Sequence, residues 1–163
     1  MSIHCPHVWV KTVYSLSMII IAHNIRSLHN VGSILRNAAA FGIEKVFLTG
    51  ITATPPRKEI AKVSLGAEDL VPWEGGEITA VIDNCRQNGY SVWGLETGES
   101  AVDISEIPRE RLALVLGSEV EGIDPETLAL LDGIAEIPMD KKRSLNVSVA
   151  SGVAMYTVMR ESK

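Results

Sequence analysis

A loop of two glycines and two acids, Gly117-Ser-Glu-Val-Glu-Gly122, follows the apolar run Leu112 to Leu116 and is well placed to hold a ligand. The glycines resemble those of a phosphate loop, but carboxylates beside phosphate repel it. Glu119 and Glu121 therefore point to a cationic or zwitterionic small molecule. Neither G-x-G-x-x-G nor G-x-x-x-x-G-K-[ST] occurs, which argues against an ordinary dinucleotide or nucleoside-triphosphate site. No serine sits in a G-x-S-x-G elbow. His23 and His29, standing before the first expected helix, read as surface or substrate-contact groups rather than as bases. The two cysteines, Cys5 and Cys85, form no pair spacing and have no histidine cluster, so neither a disulfide framework nor a metal site is expected. A reducing compartment, the cytoplasm, suits that usage.

The second chemical feature is the distribution of charge. The net charge of −5 argues mildly against nucleic acid. Residues 24–62, however, hold six basic side chains (Arg26, Arg36, Lys45, Arg57, Lys58, Lys62) against two acidic ones, and Lys141, Lys142 and Arg143 add three more. Residues 63–140 hold 17 acidic against three basic. Such segregation allows an acidic back and a basic face, and phosphate binding needs only the face. A solvated surface is the alternative reading.

These groups need elements to position them. Met18 to Ala22 is a β-branched strand-like run, and Lys45 to Thr49, Ser91 to Leu95, Leu112 to Leu116 and Ile134 to Ile137 are further short apolar runs. Pro138 stops the last of them. Between the first two, Val31, Ile34, Leu35 and Ala38 recur at helical spacing, with Asn30 as the expected N-cap and Gly42 as the stop. Arg36 lies off that apolar face. Helices are expected over 57–65, 77–88 and from Pro125 to Leu131. Alternating β and α units with continuous apolar strands mean an α/β domain with a mainly parallel sheet. In such sheets ligands collect at the carboxyl ends of the strands, where loops 96–100, 117–122 and 138–146 fall.

From Ser144 the chain is Leu-, Val-, Ala- and Met-rich almost to its end. It reads as a helix with apolar surface on more than one side, to be buried against the domain and a partner. Residues 1–17 read as a leader, with residues 18–163 as one domain. No apolar run approaches the ~20 residues of a membrane span.

Three stretches together resemble the SpoU (TrmH) family of RNA ribose 2′-O-methyltransferases, of the SPOUT class. Asn24-Ile-Arg-Ser-Leu-His-Asn-Val-Gly-Ser-Ile-Leu-Arg-Asn-Ala38 is similar to the first motif, and Leu116-Gly-Ser-Glu-Val-Glu-Gly-Ile-Asp124 to the second. Ile137-Pro-Met…Ser144-Leu-Asn-Val-Ser-Val-Ala150 is similar to the third. In the third, Asp140 to Arg143 is one residue shorter than the family's usual loop and lacks its glycine.

The resemblance implies a C-terminal trefoil knot, a homodimer closed over the last helix, S-adenosylmethionine as methyl donor, and tRNA or rRNA as acceptor. It implies no metal. Carried over by position, the catalytic set is Asn30, Arg36, Glu119, Ser144 and Asn146. The cofactor set is Leu95, Gly117, Gly122, Ile137, Met139 and Leu145. Arg26, His29, Arg57, Lys58, Lys142 and Arg143 are the expected RNA contacts. The competing expectation is a knotted dimer that binds RNA or cofactor without turnover.

Overall fold

The computed structural model describes residues 16–141 and 144–160. Strand β1 (Ser17–His23) leads into helix α1 (Leu28–Phe41), then β2 (Lys45–Thr49) and α2 (Lys58–Ser64). A single 3-10 turn (Ala67–Asp69) precedes β3 (Trp73–Gly76), α3 (Ile78–Gln87) and β4 (Ser91–Leu95). The remainder is β5 (Val102–Asp103), β6 (Arg111–Leu116), a one-turn α4 (Pro125–Leu128), β7 (Gly133–Glu136) and α5 (Val147–Met159).

The strands form one seven-stranded sheet in the order β3-β2-β1-β6-β4-β7-β5, and every pairing is parallel. A parallel sheet must be covered on both faces, and the side chains alternate accordingly. Ile20, Val46 and Leu114 lie in one register row and join the core beneath α1 and α5. Ile21, Phe47 and Val115 form the next row and face Val81, Ile82 and Cys85 of α3. Burying each such side chain is worth about 1.5–3 kcal/mol, so two cores of this kind fix the register of every central strand.

The element types agree with the sequence reading, while several ends differ. Helix α1 starts at Leu28, capped by the hydroxyl of Ser27, so Asn30 lies inside the first turn rather than at the cap. The reason lies far away in sequence: the Glu119 carboxylate takes the N–H groups of Arg26 and Ser27 and holds the chain ready to turn into the helix. Helix α2 runs from Lys58 to Ser64, one residue shorter at each end than the expected 57–65, with Leu65 itself at φ 51°. Helix α4 stops at Leu128, short of Leu131. Helix α5 begins at Val147, because Asn146, not Ser144, accepts the Ser148 N–H and caps it. Strands β3 and β5 were not expected; the first contains Gly75-Gly76 and both lie at the outer parts of the sheet.

Helix α5 packs on α1 through Ser151, Ala154, Met155 and Val158. The Asn37 amide donates to the Ser148 carbonyl at 2.9 Å across that contact, and a side chain at Gly152 would meet Asn37 at 3.0 Å. The opposite face carries Val149, Val153 and Tyr156 in the open, so the helix is buried on one side only within this chain. Among the described residues no helix is long and apolar enough to cross a membrane.

Candidate functional site

Because all strands run the same way, the carboxyl ends of β2, β1, β6, β4 and β7 make one rim, with β6 and its loop at the centre. The loop Gly117–Asp124 is closed on itself by reciprocal backbone bonds between Ser118 and Gly122, at 2.9 and 3.0 Å. Nothing larger than glycine fits at 117: a Cβ there would lie 2.3–2.5 Å from the main chain of Gly122 and Ile123.

Against this loop lies a cleft of about 220 Å³. Its walls bring together six residues placed by resemblance in the cofactor set, Leu95, Gly117, Gly122, Ile137, Met139 and Leu145, along with Leu116, Val147 and Ala150. Ser144 and Glu119 from the catalytic set also line it. Glu96 and Glu136 complete the acidic part of the lining. Neither was singled out from sequence, although each sits at or just past the carboxyl end of a strand, where such groups are expected. The Glu96 carboxylate accepts the Ile123 N–H at 3.1 Å and the Thr97 N–H at 3.0 Å, so it braces the loop as well as lining the cleft. An apolar slot with three carboxylates suits a ligand with a flat apolar part and a positive charge.

Glu119 is the hub of a chain of hydrogen bonds. Its Oε1 accepts from Ser27 N–H at 3.0 Å and from the Asn30 amide at 2.9 Å, and its Oε2 accepts from Arg26 N–H at 3.0 Å. Asn30 Oδ1 in turn accepts from the Asn146 amide at 3.2 Å. Thus the loop after β6, the start of α1 and the start of α5 are tied together by three side chains of the expected catalytic set. Burial pushes the Glu119 carboxyl up, but the Asn30 amide and the surrounding backbone N–H groups outweigh it and hold the carboxyl below its ordinary range. A carboxylate so held is a fixed acceptor and a poor base at neutral pH.

Arg36 stands apart from this network. It is exposed on α1, and no hydrogen bond or ion pair ties it to another described residue. Its guanidinium therefore remains available. Among the expected RNA contacts, Arg26, His29, Arg57 and Lys58 are all exposed, on the β1–α1 connection, the first turn of α1 and the start of α2, and α2 packs on α1. Arg26 approaches Glu121 at 3.9 Å, a surface pair of little energetic weight. Lys142 and Arg143 lie outside the described residues.

His23 departs from its expected place at the surface. Strand β1 runs one residue further than anticipated and carries His23 inward, 6% exposed, against Thr49 and Asp124. His29 is exposed as expected. Among the described residues no group of acids, histidines and cysteines could hold a metal ion.

Comparison with known proteins follows the same lines. Residues 17–156 match the SpoU rRNA Methylase family. The chain is 30% identical over 155 residues to the 23S rRNA (guanosine-2′-O-)-methyltransferase RlmB of Xanthomonas axonopodis pv. citri, covering 93% of this chain and 62% of the relative. It is 34% identical over 154 residues to a protein of Staphylococcus haemolyticus named as a TrmH family tRNA/rRNA methyltransferase, covering 93% and 61%. The chain thus spans about three fifths of the length of these relatives. The crystal structure of an AdoMet-bound rRNA methyltransferase from Sinorhizobium meliloti superposes with a TM-score of 0.81 at 24% identity, covering 87% of this chain and 55% of that one. That likeness shows the shared fold.

Proposed function

The chain belongs to the SpoU rRNA methylase family, and on that footing we propose that it transfers a methyl group from S-adenosylmethionine to a ribose 2′-hydroxyl of RNA, either tRNA or rRNA. The observation that carries this reading is the convergence of three separate segments on one cleft. The end of β4, the loop after β6 and the stretch from β7 to α5 supply apolar walls and three carboxylates to it. Those walls fit an adenosine, and the carboxylates suit the positive sulfur. When bound, S-adenosylmethionine supplies a methyl group made electrophilic by that sulfur.

The chain's own groups then have distinct tasks. Leu95, Ile137, Met139 and Leu145 wall the cleft, while the tight turn from Gly117 to Gly122 sets its depth. Glu119 holds the loop against α1 through Asn30, Arg26 and Ser27, and Asn146 extends that brace to α5. Ser144 lines the cleft beside it. Arg36 grips the phosphate next to the target ribose with two parallel N–H bonds and lowers the pKa of the hydroxyl. It does this as a permanent cation, since a guanidinium does not give up its proton at neutral pH. Arg26, His29, Arg57 and Lys58, with Lys142 and Arg143, hold the RNA backbone. Alignment of this kind can supply about 7–11 kcal/mol of the barrier in favourable cases.

The topology supports a knotted C-terminus. After β7, on the far side of β4, the chain must return across the ends of β4 and β6 to lay α5 on α1. Threading of a chain end through such a return is very rare in proteins, and the family likeness is what favours it here. Exposed Val149, Val153 and Tyr156 on α5 support a homodimer closed over that helix. An RNA substrate supports work in the cytoplasm.

Incubation with S-adenosylmethionine labelled at the methyl group and RNA from a strain lacking the protein tests the proposal. Label recovered in a 2′-O-methylnucleoside is the expected result, and label on a base would overturn the assigned reaction. Cofactor binding without transfer would favour the non-catalytic dimer.

A further inference from the structure

Asn37 follows Arg36 on α1 and has no task in the proposed reaction, yet its side chain crosses to α5. Its Nδ2 donates to the Ser148 carbonyl at 2.9 Å and lies 3.4 Å from Ser151 Oγ. Ser151 is fully buried and gives its own proton to the same carbonyl at 2.8 Å. Against the amide stands Gly152, where a Cβ would come within 3.0 Å of Nδ2. A backbone carbonyl in the first turn of α5 is thus held by a half-buried amide, and glycine leaves the room for it.

Asn30 and Asn37 are seven residues apart, so they leave α1 on one side, about 10 Å apart along its axis. Both reach α5, and in the same order. Asn30 takes the amide of Asn146, which caps that helix, and Asn37 holds Ser148 and Ser151. Further along, the Phe41 and Tyr156 rings meet edge to face at 6.1 Å. The two helices therefore run side by side in one direction. The rest of the contact, through Ala154, Met155 and Val158, is apolar. Apolar contact has no preferred direction and tolerates sliding, whereas hydrogen bonds of fixed length and angle do not. The asparagines fix how far along α1 the second helix sits.

That place matters at the cleft. Leu145, Val147 and Ala150 line it from the start of α5, while Arg36 is exposed on α1 beside Asn37. We propose that Asn37 is a positioning residue for methyl transfer: by setting α5 along α1, it holds the cleft wall at the start of α5 in fixed relation to Arg36. The methyl donor is thereby placed relative to the phosphate that Arg36 grips. This rests on the reading of the cleft as the S-adenosylmethionine site. Asn30 shares its tie with Glu119 at the loop after β6, whereas the Asn37 amide bonds to α5 alone.

The test compares the full native chain with Asn37→Asp, Asn37→Ala and Ile82→Val. Asn37→Asp keeps the size of the side chain and turns an acceptor on the Ser148 carbonyl, and Asn37→Ala removes the donor without that repulsion. Ile82→Val thins the core on the other face of the sheet and lowers stability without touching α5. Each is measured for S-adenosylhomocysteine affinity by calorimetry, methyl transfer over a range of RNA concentration, urea unfolding, and backbone amide signals by NMR. In Asn37→Asp, affinity and kcat should each fall about tenfold, with KM for RNA within about twofold of native. The amide signals of Leu145 to Ala150 should move with them. Asn37→Ala should show the same pattern more weakly, and Ile82→Val should lose stability alone. An Asn37→Asp chain that loses only stability, with affinity, kcat and those amide signals native, would overturn the proposal. A rise in KM alone would also overturn it, by making Asn37 an RNA contact. No S-adenosylhomocysteine binding by the native chain would instead sink the functional reading, while the amide signals still decide whether Asn37 sets the place of α5.

Discussion

Replacing Glu119 by Gln separates a brace from a base. The carboxylate takes three donors, two on Oε1 and one on Oε2, at 2.9–3.0 Å. A glutamine with its oxygen at the Oε1 position keeps Ser27 N–H and the Asn30 amide but sets an NH₂ against Arg26 N–H, where donor meets donor. Hydrogen bonds to a charged group are worth about 1.5–3 kcal/mol each, and the solvent exposure of Glu119 places these at the lower end. A loss of about 1–2 kcal/mol follows, shared between global stability and the cleft. In affinity, about 1.4 kcal/mol is tenfold.

The assay is a double-mutant cycle of Glu119→Gln with Asn30→Ala, followed by urea unfolding and by calorimetry with S-adenosylhomocysteine. Because the two side chains bond to each other, the cycle should show coupling of about 0.5 kcal/mol or more in both readouts. Additive effects, with binding and stability intact and only the transfer rate lost together with the acid limb of its pH profile, would refute the brace. They would make Glu119 the proton acceptor.

Other outcomes can be checked with less effort. Gly117→Ala forces a Cβ into backbone 2.3–2.5 Å away, so it should abolish S-adenosylhomocysteine binding by calorimetry while far-ultraviolet circular dichroism still shows the folded domain. Val149→Glu with Val153→Glu charges only exposed positions of α5 and should convert a dimer to a folded monomer in sedimentation. Glu119 and Asp124 have carboxyls held low in the folded chain, so the stability they give is present above their unfolded pKa values of about 4 and is lost as pH falls through the folded ones. Acid titration followed by unfolding should show that loss below about pH 4, and Glu119→Gln should shallow it.

The sequence carried the element types well, because core strands such as Lys45–Thr49 and Ser91–Leu95 advertise themselves by continuous apolar runs bounded by glycine and polar turns. Leu95, Gly117, Gly122, Ile137, Met139 and Leu145 were legible for a different reason: the family resemblance placed them by position, and all six line the cleft. What stayed hidden was decided by distant partners. Ser27 displaces Asn30 as the cap because Glu119, some 90 positions later, prepares the turn. His23 is buried because Thr49 and Asp124 close around it, and a local window holds neither. Glu96 stood out only as part of loop 96–100 and Glu136 not at all, because it is the pairing of β4 with β7 that brings the two acids to one cleft. Strand β3, ending in Gly75-Gly76, has too little side chain for a periodic signal.

Ribose methylation by this chain should depend on Arg36, and three proteins compared side by side decide whether it does. Native chain, Arg36→Ala and Arg36→Lys are each given labelled S-adenosylmethionine and unmodified RNA, which is then digested to nucleosides. Arg36 is exposed and without a described partner, so both variants should fold and bind S-adenosylhomocysteine as the native chain does. The expected result is a 2′-O-methylnucleoside from the native chain, none from Arg36→Ala, and little from Arg36→Lys, which keeps the charge but not the two-pronged grip. A 2′-O-methylnucleoside formed equally well by Arg36→Ala would contradict it.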